Sequence, residues 1–62
     1  MNVEQALNKA LEMEKSAIDE YEKMKEHADP ETADMLDFMI NEEKGHVELI
    51  NGRLKAIKVM RK

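Results

Sequence analysis

Glu43 and His46 stand three residues apart in the stretch Asn41-Glu42-Glu43-Lys44-Gly45-His46-Val47. On a helix that spacing places both side chains on one face. Apart from Arg53 the rest of the face is apolar, with Leu36 and Met39 before the pair and Ile50 and Ile57 after it. A carboxylate in an apolar seam is rare unless it is paired or bound to a cation. An imidazole beside it can serve as a neutral nitrogen donor to a metal or as a hydrogen-bond partner. The metal chemistry needs more ligands, brought to the same height by another element.

Two elements are legible. From Asn2 to Ala28 there is no Gly and no Pro, and Val3, Leu7, Ala10, Glu14, Ala17, Tyr21, Met24 and Ala28 recur in alternating steps of four and three. That is the seam of a helix in a bundle, widened by Leu11 and Ile18, and it predicts a helix over about 2–28. Glu14 is the acidic interruption at its midpoint. Asp29-Pro30-Glu31-Thr32 is a stop and a restart: Asp29 caps, Pro30 fits the first helical position, and Glu31 and Asp34 suit the positive end of the helix dipole. A second helix is expected over about 30–60, with Leu36, Met39, Glu43, His46, Ile50, Arg53, Ile57 and Met60 as its seam and Ile40, Val47 and Leu54 as a flanking row. Gly45 and Gly52 lie inside it, where glycine allows close approach of a backbone or a local distortion. The connection is short, so residues 1–62 read as a single all-α unit, an antiparallel helical hairpin.

The hairpin brings the polar interruptions together. Counted from a turn centred between Asp29 and Pro30, at about 1.5 Å per residue, Glu14 lies roughly 23 Å away, Glu43 roughly 20 Å and His46 roughly 25 Å. All three therefore share one height. A single hairpin leaves an apolar face uncovered, and a two-fold dimer would cover it and form a four-helix bundle. The dimer would hold two copies each of Glu14, Glu43 and His46, which is the ligand set of di-iron or di-manganese carboxylate bundles. Four carboxylates in a poorly solvated core cannot all ionise without cations. Two divalent ions, one per chain, would balance them. Oxygen-rich ligands with one imidazole per metal suit Fe(II) or Mn(II), and Zn(II) or Co(II) would also bind.

Composition narrows the alternatives. There is no cysteine, which removes disulfides, iron–sulfur clusters and thiolate zinc sites. A chain of 62 residues buries too little surface for comfortable stability without a metal or a partner chain. The net charge of −4 gives no electrostatic footprint for nucleic acid. No apolar run approaches a membrane span, and Met1-Asn2-Val3-Glu4 lacks the layout of an export signal, so a cytoplasmic location is expected.

With Glu14, Tyr21 and Glu43-x-x-His46 in place, the chain resembles the ferritin-like superfamily, on its rubrerythrin and encapsulated-ferritin side. The stretch from Ala10 to Met24, with Glu14 and Tyr21 seven apart, resembles the first metal-ligand helix of that family. Glu42-Glu43-Lys44-Gly45-His46-Val47-Glu48-Leu49-Ile50 resembles its Glu-Glu-Lys-x-His helix. The likeness spans both helices but only half the usual bundle, so it implies a half-ferritin whose centre forms between subunits. It implies oxidation of Fe(II) to Fe(III) by O2 at two Fe ions per dimer, for iron storage or detoxification. In that picture Glu43 bridges the metals, Glu14 and His46 complete each shell, and the Tyr21 hydroxyl hydrogen-bonds near a ligand carboxylate. Homodimers or higher homo-oligomers, and an encapsulin shell or other protein nanocompartment as surroundings, are further implications. The missing cysteine cluster counts against rubrerythrin-type electron delivery, yet a peroxide scavenger using H2O2 stays open, as does a non-enzymatic helical assembly module.

Plainer roles compete at several positions. Glu42, one residue off the seam, reads as solvated, and Tyr21 also fits as a core aromatic with its hydroxyl satisfied. His27 suits the end of the first helix, and Met24 and Met39 read as packing. Glu12, Glu20 and Glu22 form either an ordinary solvated face or an iron entry path. Arg53 lies on the seam beyond the site, where an acidic residue of another subunit would pair with it.

Overall fold

The computed structural model describes residues 2–61 as two helices, α1 (Val3–Lys25) and α2 (Pro30–Met60), folded into an antiparallel hairpin. α1 starts where a reciprocal cap satisfies its first free amides. The Gln5 amide donates to the Asn2 side chain at 2.8 Å, and the Asn2 amide donates to the Gln5 side chain at 3.1 Å. At the other end the helix stops at Lys25, three residues short of the expected Ala28. The amides of Glu26, His27 and Ala28 bond to the carbonyls three residues back, of Lys23, Met24 and Lys25, so the last turn tightens and unwinds. Pro30 enforces the break, because the residue before a proline avoids helical backbone; Asp29 is extended at ψ 165°. Asp29 also accepts from the Thr32 amide at 3.4 Å and so caps α2.

Three ties hold the register. Arg61 meets Glu4 at 2.9 Å at the open end, Lys25 pairs with Asp37 near the turn, and His46 meets Glu14 midway at 3.3 Å. The Asp37 carboxylate hydrogen-bonds the Lys25 ammonium and holds its pKa above the ordinary value.

The packing shifts the expected seam of α2 by one row. Leu36, Ile40 and Leu54 are the buried residues, at 5, 3 and 7 % exposure, and Glu43, Val47, Ile50 and Ile57 are half-buried with them. These positions form the stripe that packs on α1, so the supposed flanking row of Ile40, Val47 and Leu54 is central. His46, Arg53 and Met60, expected on the seam, are exposed. The physical reason is that one neighbour covers only one side of a broad stripe. A row on its edge is left open by the single helix–helix contact of the hairpin. α1 shows the same pattern: Leu7, Leu11, Glu14, Ile18 and Tyr21 are half-buried, Val3 and Met24 are exposed, and none of its residues is fully buried.

Because the helices are antiparallel, their edge rows fall on the same side of the hairpin. Helix geometry puts Val3, Ala10, Ala17 and Met24 of α1 beside Met39, His46, Arg53 and Met60 of α2, with Met13, Met35 and Leu49 in the next rows out. Met13, Met24, Met35, Leu49 and Met60 are each more than half exposed, so this side of the hairpin is a largely apolar, methionine-rich face. No helix among the described residues is long and apolar enough to cross a membrane.

Candidate metal centre

Glu14 sits at the midpoint of α1 and the Glu43–His46 pair at the midpoint of α2. The hairpin register brings them together. His46 Nδ1 lies 3.3 Å from Glu14 Oε2 and 3.7 Å from Glu43 Oε1. One donor atom from each of the three side chains falls within 4.8 Å of the other two. Residues 32 apart in sequence therefore converge at the height that the turn-centred count assigns them.

The triad lies half-open on the edge of the contact stripe. The side chains of Glu14 and Glu43 keep 25 and 20 % of their surface, and His46 keeps 50 %. The carboxylates are drawn into the interface while the imidazole leans over them from the uncovered face. Water still reaches this side, which lowers the cost of placing two carboxylates so close. The chemistry of the set is that of a cation site. Two anionic oxygen donors and one nitrogen donor converge, and the histidine nitrogen facing them is Nδ1. With Nδ1 protonated, His46 donates to Glu14 and closes the triad as a hydrogen-bond network. With the proton on Nε2 instead, the same three atoms become lone-pair donors around one point. A divalent cation and a proton thus compete for a single position.

Three ligands leave a hard divalent ion short of the six that Fe(II) or Mn(II) ordinarily takes, so the triad of one chain is an incomplete shell. Tyr21 is half-buried on the same stripe as Glu14, two turns towards the hairpin turn. Side chains on a helix lean towards its N-terminus, so Tyr21 leans towards Glu14 across roughly 10 Å of helix. The His46 hydrogen bond goes to Glu14 and leaves the tyrosine outside the triad. Glu42 and His27 are exposed and lie outside it, as do Glu12, Glu20 and Glu22. The one feature sequence reasoning misplaced is the openness of His46, whose row it took as central. The signal was present in Ile40, Val47 and Leu54, larger and more regularly apolar than the row containing Arg53.

The rubrerythrin family model matches residues 1–62, the whole chain. An uncharacterized protein from Archaeoglobus fulgidus is 48 % identical over 62 residues, covering 100 % of this chain and 98 % of its own. No solved structure matches the chain. Two helices carrying a Glu and a Glu-x-x-His at one height, together with a family match over the full length, lead to one conclusion: the chain belongs to the rubrerythrin family, within the ferritin-like superfamily.

Proposed function

We propose that the protein is a ferroxidase-type oxidoreductase whose di-iron carboxylate centre forms between two copies of the hairpin. The observation that carries this reading is the convergence of Glu14, Glu43 and His46 within 4.8 Å on the edge of an uncovered apolar face. A second copy laid on that face brings a second triad, and with it four carboxylates and two imidazoles. Charge argues for an antiparallel arrangement of the copies. The turn half, residues 19–37, carries eight carboxylates against Lys23 and Lys25, whereas residues 2–9 and 52–61 carry five cations against Glu4 alone. Antiparallel stacking sets acidic end beside basic end, while parallel stacking sets like on like. Because the triads lie at mid-helix, the antiparallel overlap also keeps them level. The exposed methionines suit such an interface, since an unbranched thioether adapts to an irregular surface.

Fe(II) is the substrate, and each ion gives up one electron. Two Fe(II) with two protons reduce O2 to H2O2, leaving two Fe(III). The chain's own contribution is to hold the ions and balance their charge. Glu14 and Glu43 of each copy supply the anionic oxygens, and they favour the Fe(III) product over Fe(II) by the added charge. With its proton on Nε2, His46 lends the Nδ1 lone pair as a neutral donor. Tyr21 leans towards Glu14 from the turn side, where its hydroxyl would donate a hydrogen bond towards that carboxylate. The covering copy shuts water away from the apolar flank.

Aerobic Fe(II) addition should give an Fe(III) absorbance that rises over repeated additions and vanishes in Glu43→Ala. Undiminished iron oxidation by that variant would sink the assignment. The family match favours a second reading, a peroxide scavenger in which two Fe(II) with H2O2 and two protons give two Fe(III) and two water molecules. Comparing oxidation rates with O2 and with H2O2 separates the two: the ferroxidase reading requires turnover with O2 alone.

A further inference from the structure

One apolar feature remains outside the proposed dimer face. Phe38, Gly45, Gly52 and Val59 recur every seventh residue of α2 and form a ridge roughly 31 Å long. The ridge lies roughly 180° around the helix from the stripe that packs on α1, and roughly a quarter turn from the methionine face. Phe38 and Val59 are 64 and 61 % exposed. The hairpin itself has no use for the two glycines between them. Neither has positive φ, and a Cβ at either position would meet nothing within 4 Å. Alanine would make a more stable helix at both positions. A large aromatic and a valine left in water, flanking two such glycines, describe a contact with something outside the hairpin.

The charge pattern of α2 says what that something is. Glu31 and Asp34 lie at the Phe38 end, and Lys55 and Lys58 at the Val59 end, none of them in the ion pairs that tie the hairpin. We propose that this ridge is a second interface between copies of the chain, in which α2 packs antiparallel on α2 of another dimer. That pairing sets Phe38 against the second copy's Val59, Gly45 against its Gly52, and each acidic end against a basic one. A parallel pairing would set carboxylates against carboxylates. Glu48 falls near the two-fold axis, and Lys44 one turn before it supplies a cation beside the like charge that symmetry places there. The contact is self-complementary, as a two-fold interface must be. The proposal takes the dimer of the preceding section as its unit. Each chain then uses two different faces, so the assembly has an even number of chains and more than two.

The test is the mass of the intact protein in solution, by light scattering and native mass spectrometry, for wild type, Phe38→Glu and Gly52→Leu. Leucine at position 52 strengthens the helix while blocking the close approach, so loss of assembly in that variant cannot be loss of fold. The wild type is expected at four or more chains and both variants at two, with helical circular dichroism and metal bound per chain unchanged. A wild type no larger than a dimer, or variants that keep the wild-type mass, would overturn the ridge. The two proposals fail separately. A large assembly that binds no metal refutes the metal centre and leaves the ridge standing; a metal-loaded dimer that grows no further does the reverse.

Discussion

Replacing Glu43 with leucine should make the metal-free protein more stable and the metal-treated protein less so. Glu43 keeps only 20 % of its side-chain surface, on the stripe that packs against α1, between Ile40 and Val47. Fully burying a leucine contributes about 1.5–3 kcal/mol, so roughly four-fifths burial yields about 1–2.5 kcal/mol per chain. Removing a carboxylate beside Glu14 adds in the same direction. A chain this size has a total stability of about 3–9 kcal/mol, so the gain is large. At an m-value of about 1 kcal/mol/M it moves the urea midpoint up by about 1–2.5 M. Metal works the other way. Fe(II) or Zn(II) at a hundredfold over Kd stabilises wild type by about 2.7 kcal/mol per site, and a leucine at 43 forfeits it. Urea melts followed by circular dichroism, at one fixed chain concentration, with chelator and with metal, should therefore change rank order. A leucine variant less stable than wild type in chelator, or one that gains as much from metal, would refute the reasoning.

Other positions give independent checks. Ile40→Ala removes the most buried side chain of the hairpin and should cost about 2–5 kcal/mol, enough to leave the metal-free protein largely unfolded in a thermal melt. Tyr21→Phe should bind Fe(II) at wild-type stoichiometry but oxidise it more slowly, because the hydrogen bond towards the Glu14 carboxylate is lost; an equal rate would remove the tyrosine from the mechanism. Acid should loosen the start of α2. The Thr32 hydroxyl and amide hydrogen-bond the Asp29 carboxylate and lower its pKa below the ordinary 3.8. A lowered pKa contributes stability above the ordinary value that is lost as pH falls through the folded one, so helicity should decline below about pH 3.8, with a smaller acid-dependent step in Asp29→Asn.

The heights of the site residues were readable because a helix has a fixed rise and Asp29-Pro30 fixes the turn. Glu14, Glu43 and His46 then meet by arithmetic. Sequence and structure part at the exposure of one row of α2 and at the end of α1, each for a local reason. Periodicity states which residues share a face but not which of two adjacent rows meets the first neighbour, so His46 reads as buried although it sits on the edge beside a face left open. α1 keeps its apolar rhythm through Ala28 but stops at Lys25, because the amides of Glu26, His27 and Ala28 tighten onto carbonyls three residues back ahead of the extended Asp29 that Pro30 enforces. The exposed Phe38 and Val59 disappear in a simple periodic reading for the same reason as the openness of His46. Their row becomes visible only when the contact stripe is known.

The central claim is that each chain carries half of a metal centre. Native mass spectrometry after anaerobic Fe(II) loading tests it most directly, because chain number and bound metal are read from the same ion. The dimer, whether free or released from a larger assembly, should carry two iron ions, and Glu14→Ala or His46→Ala should lower that occupancy while the dimer persists. A metal-free monomer, or iron bound equally well without those side chains, would contradict it.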